Sequence, residues 1–386
     1  MLLTSGPYSR LSEIPFFFEP LETPDHSAYP ATLPFDFYLD DKLEILRQKG
    51  RPELSTMLRR VYENGSMLAG AMNESAGRAQ ADAAERFACS VVTGLGGRRV
   101  LEIGCGNGYL LQRFHGKGAV CTGLEPGPQV QEGQHSGIRI VQDFFPSEEI
   151  DSSYDLVLHF NVLEHMEDPE EFLGQQRVLL SQNGRIVLGV PNCEPYLPAG
   201  DISMFVHEHY SYFTRRGLHR LAEGVGLSIE AMEVGANGGM LFASMTAHSP
   251  MADDASLPAL AAAGFSVRAE AHLNSVAMMT TKFPGEELAV YCPIRAMNAL
   301  CLLGATQARL VDDNPTMHGS YIPGFANAIE DFENLQDAPP AAVLIFSRTF
   351  GHEIKARCEQ SNQLRHTPIH TIEEMDRMPP TAGAPK

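Results

Sequence analysis

The stretch VLEIGCGNGYLL, residues 100–111, decides the fold of this chain. Its aliphatic start is typical of a buried strand, and glycines follow at positions 104, 106 and 108 before a second apolar segment. Closely spaced glycines let the backbone turn sharply and let a ligand lie against bare peptide. The stretch therefore predicts a strand, a ligand-binding turn and a helix, in that order.

Strand and helix patterns alternate on the C-terminal side of this turn, which predicts a mostly parallel sheet with helical crossovers. The predicted parallel strands are 99–104, 119–125, 138–143, 154–160 and 184–190. The helix before the last of them begins at Pro169 and ends before Gly184. Two further runs, 227–234 and 239–247, have only Gly-rich residues between them and predict an antiparallel pair. The result is a seven-stranded α/β sheet.

The flanking segments predict an N-terminal helical cap and a second, smaller α/β domain. Residues 1–50 indicate an irregular arm with one short helical pattern near Asp40–Arg47, and helices are predicted at 51–62 and 77–92. A linker is expected at 248–258. The second domain is predicted from a helix at about 259–282 and strands at 288–293, 308–314 and 342–347. We expect domains at 1–76, 77–250 and 251–386.

Composition narrows the class of protein. The 386 residues are 44% hydrophobic and 20% charged, and no apolar run is long enough to span a bilayer. The formal charge of −19 disfavours nucleic acid as a partner. The seven cysteines form no C-x-x-C pair, which argues against disulfides and a zinc knuckle. A cytoplasmic protein without nucleic-acid or membrane partners is expected.

Acidic residues end the two strands that follow the glycine turn. Glu125 stands about twenty residues beyond the turn, where a carboxylate can bind both hydroxyls of a ribose. Asp143 and Phe144 end the third strand, and an acid beside an aromatic ring suits an adenine. Together with the turn, these residues predict a nucleotide-like ligand.

The order VLEIGCGNG, GLEP, QDFF, YDLVLHFNVLEHMEDP and GRIVLGVPN resembles the class I S-adenosylmethionine-dependent methyltransferases, over about residues 99–192. The resemblance implies a Rossmann-like methyltransferase core with S-adenosyl-L-methionine as cofactor. It assigns the methionine end to Glu102, Gly104, Gly106, Asn107 and Gly108. It assigns the ribose to Glu125, the adenine to Asp143 and Phe144, and a place below the sulfonium to Asn161.

A second resemblance covers about residues 60–375. VYENGSMLAG (61–70), VHEHYSYF (206–213) and LVDDNPTMHGSYIPG (310–324) look like segments of the sugar C-methyltransferases, which act on nucleotide-linked keto-sugars. This resemblance places Tyr62 and Ser66 with the cofactor. The chain departs from that family in having no cysteine before Cys89, Val206 in place of a tyrosine and Cys292 in place of a glycine.

The stretch FVHEHYSYF, residues 205–213, has three interpretations. A metal site needs three or four ligands, and His207 and His209 have no third Cys or His at ligand spacing, so no metal is expected. A closing loop would satisfy its histidines with backbone groups. A catalytic interpretation makes His209 a general base, with Glu208 orienting it or holding a substrate hydroxyl. His165, in LEHMEDP, is either the next catalytic candidate or a residue of the helix approach.

The function expected from these observations is C-methylation of a carbonyl-bearing small molecule, such as a nucleotide-linked keto-sugar. His209 would remove a proton beside the carbonyl to make a carbon nucleophile. An O- or N-methyltransferase of a small natural product is an alternative on the same scaffold. A non-catalytic protein that keeps the cofactor site for binding partners is an alternative of another class. The oligomeric state stays open.

Overall fold

The computed structural model describes residues 2–5, 8–16, 20–23, 29–64, 75–131, 137–151, 153–235, 238–247 and 262–377. Its strands are β1 Leu2–Ser5, β2 Tyr8–Pro15, β3 Thr32–Asp40, β4 Ile45–Gln48, β5 Arg99–Ile103, β6 Val120–Leu124, β7 Arg139–Val141, β8 Tyr154–Phe160, β9 Leu180–Pro191, β10 Ser211–Tyr212, β11 Ser228–Val234, β12 Met240–Thr246, β13 Leu288–Tyr291, β14 Arg309–Val311, β15 Ile329–Glu330, β16 Ala342–Ile345 and β17 Ile369–Thr371. Its helices are α1 Pro52–Glu63, α2 Ser75–Val91, α3 Tyr109–Gly116, α4 Pro169–Arg177, α5 Arg215–Gly224, α6 Phe265–Lys282, α7 Pro293–Leu302, α8 Phe332–Asp337, α9 Gly351–Gln360 and α10 Ile372–Asp376.

The chain forms two compact units, and each draws on separate parts of the sequence. The first, called here the glycine-loop unit, consists of Leu39–Glu194 and Glu208–Leu260. The other, called here the second unit, consists of Met1–Tyr38, Pro195–His207 and Ala261–Lys386.

The glycine-loop unit contains the predicted seven-stranded sheet, in the order β11-β12-β9-β8-β5-β6-β7. Strands β5 to β9 pair in parallel, whereas β12 runs antiparallel to β9 and β11 antiparallel to β12. The α/β class and the mostly parallel sheet with its antiparallel closing pair are therefore confirmed. Strand β9 begins earlier than predicted, because helix α4 ends at Arg177 instead of continuing to Gly184.

Helices cover both faces of this sheet. Successive side chains of a strand point to opposite faces, so neighbouring residues of one strand belong to different cores. Leu101 of β5 belongs to a core with α4 and α5, whereas its neighbour Val100 belongs to a core with α2 and α3. The helices thus cover the sheet in two layers. Only the ends of the strands stay free for ligands, and the carboxyl ends of β5, β6 and β8 meet at one edge.

The second unit contains a parallel five-stranded sheet in the order β15-β14-β13-β16-β17. Its core includes Val343 and Ile345 of β16, packed with Ile354 and Cys358 of α9. Strands β1, β2 and the part of β3 in this unit pair antiparallel. The expected second α/β sheet is present. The expected domain boundaries at 76 and 250 stay predictions.

The N-terminal fifty residues differ from the sequence expectation. The predicted irregular arm contains strands β1 to β3, and the short helix near Asp40–Arg47 is wrong. Asp40 instead accepts hydrogen bonds from the backbone of Lys42 and Leu43 and so closes a turn into β4. Strand β4 then pairs with β10. The predicted linker at 248–258 lies outside the described residues. Within the described ranges, no helix combines the length and the apolar character that crossing a bilayer requires.

Candidate active site

The turn between β5 and α3 has the backbone that its glycines predict. Gly104, Gly106 and Gly108 have φ angles of 72°, 52° and 75°, in the left-handed region that favours glycine. A Cβ at Gly104 would lie 2.6 Å from Cγ2 of Val162, whereas a Cβ at Gly106 would meet nothing within 4 Å. The turn is therefore packed on one side by the segment after β8 and open above Gly106.

Glu125 follows the end of β6 and is connected to this turn. Its Oε2 accepts a hydrogen bond from the Gly106 amide at 3.0 Å, and its Oε1 accepts one from the Gly127 amide at 2.8 Å. Burial raises the pKa of the carboxyl, and the two amides oppose that shift. Glu125 thus holds the glycine turn in place as well as standing where a ribose-binding acid is expected.

Glu102 is a buried residue near the turn whose carboxylate has unmet hydrogen-bonding capacity. It is 5% exposed, and its Oε2 has no hydrogen-bond partner among the described residues. Burial, followed by the nearby Glu125 carboxylate, raises its pKa well above 4.5. A buried polar atom of this kind is normally satisfied by a partner. The unmet hydrogen-bonding capacity of Glu102 and the open space at Gly106 fit a polar ligand such as S-adenosylmethionine.

The other expected cofactor residues lie at the same sheet edge or near it. Asn107 accepts a hydrogen bond from the Tyr109 amide at 3.2 Å. Asp143 is exposed. The Arg59 guanidinium lies over the ring of Phe144, with its Cζ 4.9 Å from the ring centre. Asn161 has a φ of 54°, and its amide donates to Gly189. Ser66 lies outside the described residues.

His207 and His209 have different surroundings. Residues 207 and 208 form a turn, and the following strand contains Ser211 and Tyr212. The His207 ring lies in the second unit, with its centre 5.8 Å from that of Phe16 and 5.5 Å from that of Phe35. It therefore belongs to an aromatic core. Glu208 is 2% exposed and belongs, like His209, to the glycine-loop unit.

His209 meets His165 and Glu164, which lie on the 3-10 turn Leu163–His165 after β8. The two imidazole centres are 4.8 Å apart, and the Tyr210 amide donates to the Glu164 carbonyl at 2.7 Å. The Tyr62 hydroxyl, from α1, hydrogen-bonds Nδ1 of His165 at 2.9 Å. Tyr62 therefore contacts a residue predicted to be catalytic. We call Glu164, His165 and His209 the Glu-His-His cluster.

The cluster is poorly solvated. The Glu164 side chain is 1% exposed and that of His165 is 7% exposed. Burial raises the pKa of Glu164 to about 8 and lowers that of His165 to about 4. Burial, followed by the nearby His165, lowers the pKa of His209 well below 6.5. Both imidazoles are therefore neutral near pH 7.

Glu164 is the residue that the sequence analysis missed. It stands directly before His165 in LEHMEDP, but carboxylates are common at the start of helices and its position gave no further signal. Both of its carboxylate oxygens are buried without a hydrogen-bond partner among the described residues, and so is Nε2 of His209. The cluster therefore has buried polar atoms that are available to bind a ligand.

Comparison with known proteins assigns the glycine-loop unit. A family model described as a methyltransferase domain matches residues 72–232. This part of the chain is a class I S-adenosylmethionine-dependent methyltransferase domain. The methyltransferase is similar to the ubiquinone biosynthesis O-methyltransferase of Aeromonas salmonicida, with 28% identity over 158 residues, 36% of this chain and 66% of that protein. The enzyme of the same name from Pseudomonas aeruginosa strain LESB58 is 28% identical over 179 residues, 42% of this chain and 75% of that protein.

Solved structures of similar fold include two methyltransferases. An S-adenosylmethionine-dependent methyltransferase from Mesorhizobium loti is 18% identical, with a TM-score of 0.35 over 42% of this chain and 97% of that one. The CcbJ methyltransferase from Streptomyces caelestis is 16% identical, with a TM-score of 0.39 over 49% of this chain and 98% of that one.

The cofactor of the methyltransferase is S-adenosylmethionine, which supplies an electrophilic methyl group on its sulfonium. The residues that would hold it are those of the glycine turn, with Glu102 and Glu125. Because Glu125 also bonds the Gly106 amide, it fixes the turn before the cofactor arrives. Such preorganisation reduces the entropy that binding must overcome.

Proposed function

We propose that this methyltransferase transfers a methyl group to a carbon beside a carbonyl in a small molecule, such as a nucleotide-linked keto-sugar. His209 is the residue that activates the acceptor. The observation that carries this proposal is the Nε2 atom of His209, which is buried and has no hydrogen-bond partner among the described residues. An acidic proton of the acceptor is a natural partner for that atom.

The position of the cluster supports this role. Val162 packs against Gly104 of the cofactor turn, and the turn that carries Glu164 and His165 begins at the next residue. A molecule bound at the Glu-His-His cluster would therefore be near the cofactor site. Holding the two reactants together supplies much of the acceleration of a methyl transfer.

The part of the chain outside the methyltransferase domain favours a large acceptor, such as a nucleotide-linked one. The relatives align with 36% and 42% of this chain, and the second unit has a parallel α/β sheet of its own. Its segment LVDDNPTMHGSYIPG resembles the sugar C-methyltransferases. A nucleotide-linked acceptor follows from that resemblance.

O-methylation of a small molecule is the second candidate, because the two relatives described above are named as O-methyltransferases. In that reaction His209 would act on a hydroxyl proton instead of a carbon-bound proton. The same cluster serves either acceptor, so the two functions differ in the acceptor and not in the cofactor site.

Hydrogen exchange separates the two functions. The enzyme is incubated in deuterated water with a nucleotide-linked keto-sugar and the demethylated cofactor, S-adenosylhomocysteine, which allows proton removal without methyl transfer. We expect deuterium to enter the position beside the carbonyl, as read by mass spectrometry. The variant His209→Ala should lose exchange and methylation by at least about a hundredfold while binding the cofactor normally.

The control is His219→Ala, which removes an imidazole of α5 outside the cluster. Exchange and methylation that persist in His209→Ala would remove the residue from the mechanism. Methylation of a hydroxyl by an enzyme that exchanges no carbon-bound proton would replace C-methylation with the O-methylation alternative.

A further inference from the structure

We infer that the Glu-His-His cluster binds a divalent transition-metal ion of the zinc type. One ring nitrogen each of His165 and His209 and one carboxylate oxygen of Glu164 lie within 4.8 Å of one another. The sequence alone predicts no metal, because His207 and His209 have no third Cys or His ligand at a suitable spacing. The fold brings Glu164 and His165 to His209 from an earlier loop.

The unmet hydrogen-bonding capacity of the cluster is the independent sign of a ligand. Both Glu164 oxygens and Nε2 of His209 are buried without a partner among the described residues. The ion pair recorded for Glu164 is its 3.8 Å approach to Nε2 of His165, which is charged only when protonated. Leaving three such atoms unsatisfied is costly, and one cation would satisfy all of them.

The donor set selects the kind of metal. Two imidazoles and one carboxylate are the protein ligands of many catalytic zinc sites and of open iron(II) sites. Magnesium and calcium prefer oxygen ligands throughout. Three protein ligands also leave one coordination position open, as catalytic sites do and structural zinc sites do not.

The geometry needs only a modest adjustment to receive an ion. Bonds of 2.0–2.1 Å in a tetrahedral site put the ligand atoms about 3.4 Å apart, so the side chains would move together by about 1 Å. His165 is oriented by the Tyr62 hydroxyl, which hydrogen-bonds its Nδ1 at 2.9 Å, while its Nε2 lies 3.8 Å from Glu164. Metal-binding histidines are usually held by such outer contacts. Tyr62 is thus a positioning residue in this site.

The metal indicates which atom of the acceptor binds at the cluster. This inference rests on the proposed function. The open position would take an oxygen of the acceptor, either the carbonyl oxygen beside the reacting carbon or a hydroxyl. A divalent cation polarises that oxygen and makes the neighbouring proton easier to remove. With the ion bound, Nε2 of His209 would hold the metal, and the proton of the acceptor would pass to a water molecule; in the metal-free enzyme His209 itself would take that proton.

Cobalt(II) tests the site directly, without any methyl acceptor. The full chain is stripped with a chelator, dialysed and titrated with Co²⁺ while the visible absorption of the protein-bound ion is followed. We expect saturation at about one ion per chain, and competition by Zn²⁺. Glu164→Gln and His209→Ala should each weaken Zn²⁺ binding by at least about a hundredfold, since even outer-contact residues cost 10–100-fold. His219→Ala should bind as the wild type does.

Acetohydroxamate, a small chelator with two oxygen donors, tests the open position. It should shift the cobalt spectrum of the wild type. An unchanged spectrum would overturn the inference that an acceptor oxygen reaches the metal.

The two proposals fail in different ways. A wild type that binds Co²⁺ no better than Glu164→Gln overturns the metal site, even if S-adenosylmethionine binding and methyl transfer are intact. In that case His209→Ala should still abolish methyl transfer and Glu164→Gln should leave most of it. A metal bound at one ion per chain, in an enzyme without proton exchange or methyl transfer, would leave the metal site standing and remove the proposed function.

Discussion

The carboxylate of Glu125 accepts hydrogen bonds from backbone amides on both of its oxygens, from Gly106 on one and Gly127 on the other. A side chain in this position would affect cofactor binding twice, through the contact with the ribose that the sequence predicts and through the shape of the turn. Its loss should therefore cost more than an isolated hydrogen bond.

We expect Glu125→Gln to weaken S-adenosylmethionine binding by about 1–3 kcal/mol, or roughly 5- to 150-fold, because the amide nitrogen of glutamine cannot accept from a backbone N–H. Isothermal titration calorimetry measures the affinity. The control is Glu149→Gln, which changes an exposed carboxylate paired with Arg139. Equal affinities in Glu125→Gln and the wild type would mean that the cofactor does not depend on this turn.

The burial of His159 in β8 should make the free energy of unfolding depend on pH. It is fully buried, neither ring nitrogen has a partner among the described residues, and burial lowers its pKa to about 3. The unfolded chain binds a proton with a pKa near 6.5, so stability is full above that pH and falls as the pH drops toward 3. Between pH 7 and pH 5 this histidine should remove about 2 kcal/mol of unfolding free energy.

Urea unfolding of the wild type and of His159→Leu at both pH values isolates this effect, because the other titrating groups are common to the two proteins. The variant should lose less stability between pH 7 and pH 5 than the wild type. Equal losses would show that His159 finds a partner for its proton.

Single residues were predictable where a motif fixed their place. Gly104, Gly106 and Glu125 follow strands whose ends meet by topology, so sequence spacing alone brought them together. Glu164 and His209 come from separate segments, and their meeting depends on how the turn after β8 packs against Tyr210. Spacing carries no information about such a contact.

At the scale of elements, the turn between β5 and α3 depends on the loop after β8. Gly104 has the left-handed φ of 72°, and Val162 occupies the space where its side chain would be. The cofactor turn therefore packs directly against the segment that leads to Glu164.

Gly104→Ala should destabilise the glycine-loop unit and weaken cofactor binding, through both the contact with Val162 and the unfavourable φ. Adding Val162→Ala should remove the contact but leave about 1–2 kcal/mol of backbone strain. Urea unfolding and calorimetry measure the two effects. Gly96→Ala is the matched control, since its Cβ would meet nothing within 4 Å and its φ is not in the left-handed region. A Gly104→Ala protein as stable as Gly96→Ala would contradict this packing.

Elements with a clear period were predictable, and short ones were not. Strands β5, β6 and β8 and the second half of β9 are mostly apolar and mostly buried, and their sequences show this directly. Asp40–Arg47 carries apolar residues at a spacing that also suits a helix, but Asp40 closes a turn and Ile45 is buried in a strand. A two-residue strand such as β10 leaves no pattern at all.

At the scale of the molecule, the second unit is held together by a buried ionic network between distant segments. Arg348 donates to Asp201 at 2.6 Å and to Asp376 at 2.7 Å, and His272 hydrogen-bonds Asp376 at 2.7 Å. Burial tends to raise the pKa of Asp201, but His272 and Arg348 outweigh it and lower that pKa. The charges thus stabilise one another across the unit.

Arg348→Met should destabilise the second unit by about 3–5 kcal/mol, because it leaves Asp201 buried without its cation. Thermal unfolding followed by calorimetry should show the loss, and hydrogen exchange should place it in α6 and α10. Arg139→Met, which breaks the exposed pair with Glu149, should change stability by less than about 1 kcal/mol. Similar losses in the two variants would mean that the network is not a stabilising one.

The division of the chain also has a consequence for its synthesis on the ribosome. The segment Pro195–His207 emerges between two parts of the glycine-loop unit, but its partners in the second unit emerge later: Asn298 donates to the carbonyls of Ile202 and Phe205. Domains usually fold in order as they leave the ribosome. Here the glycine-loop unit can form first, while Phe205 must wait, exposed to chaperones and proteases. Nascent chains arrested before residue 298 should be cleaved at this segment, and longer ones ending after α10 should be protected.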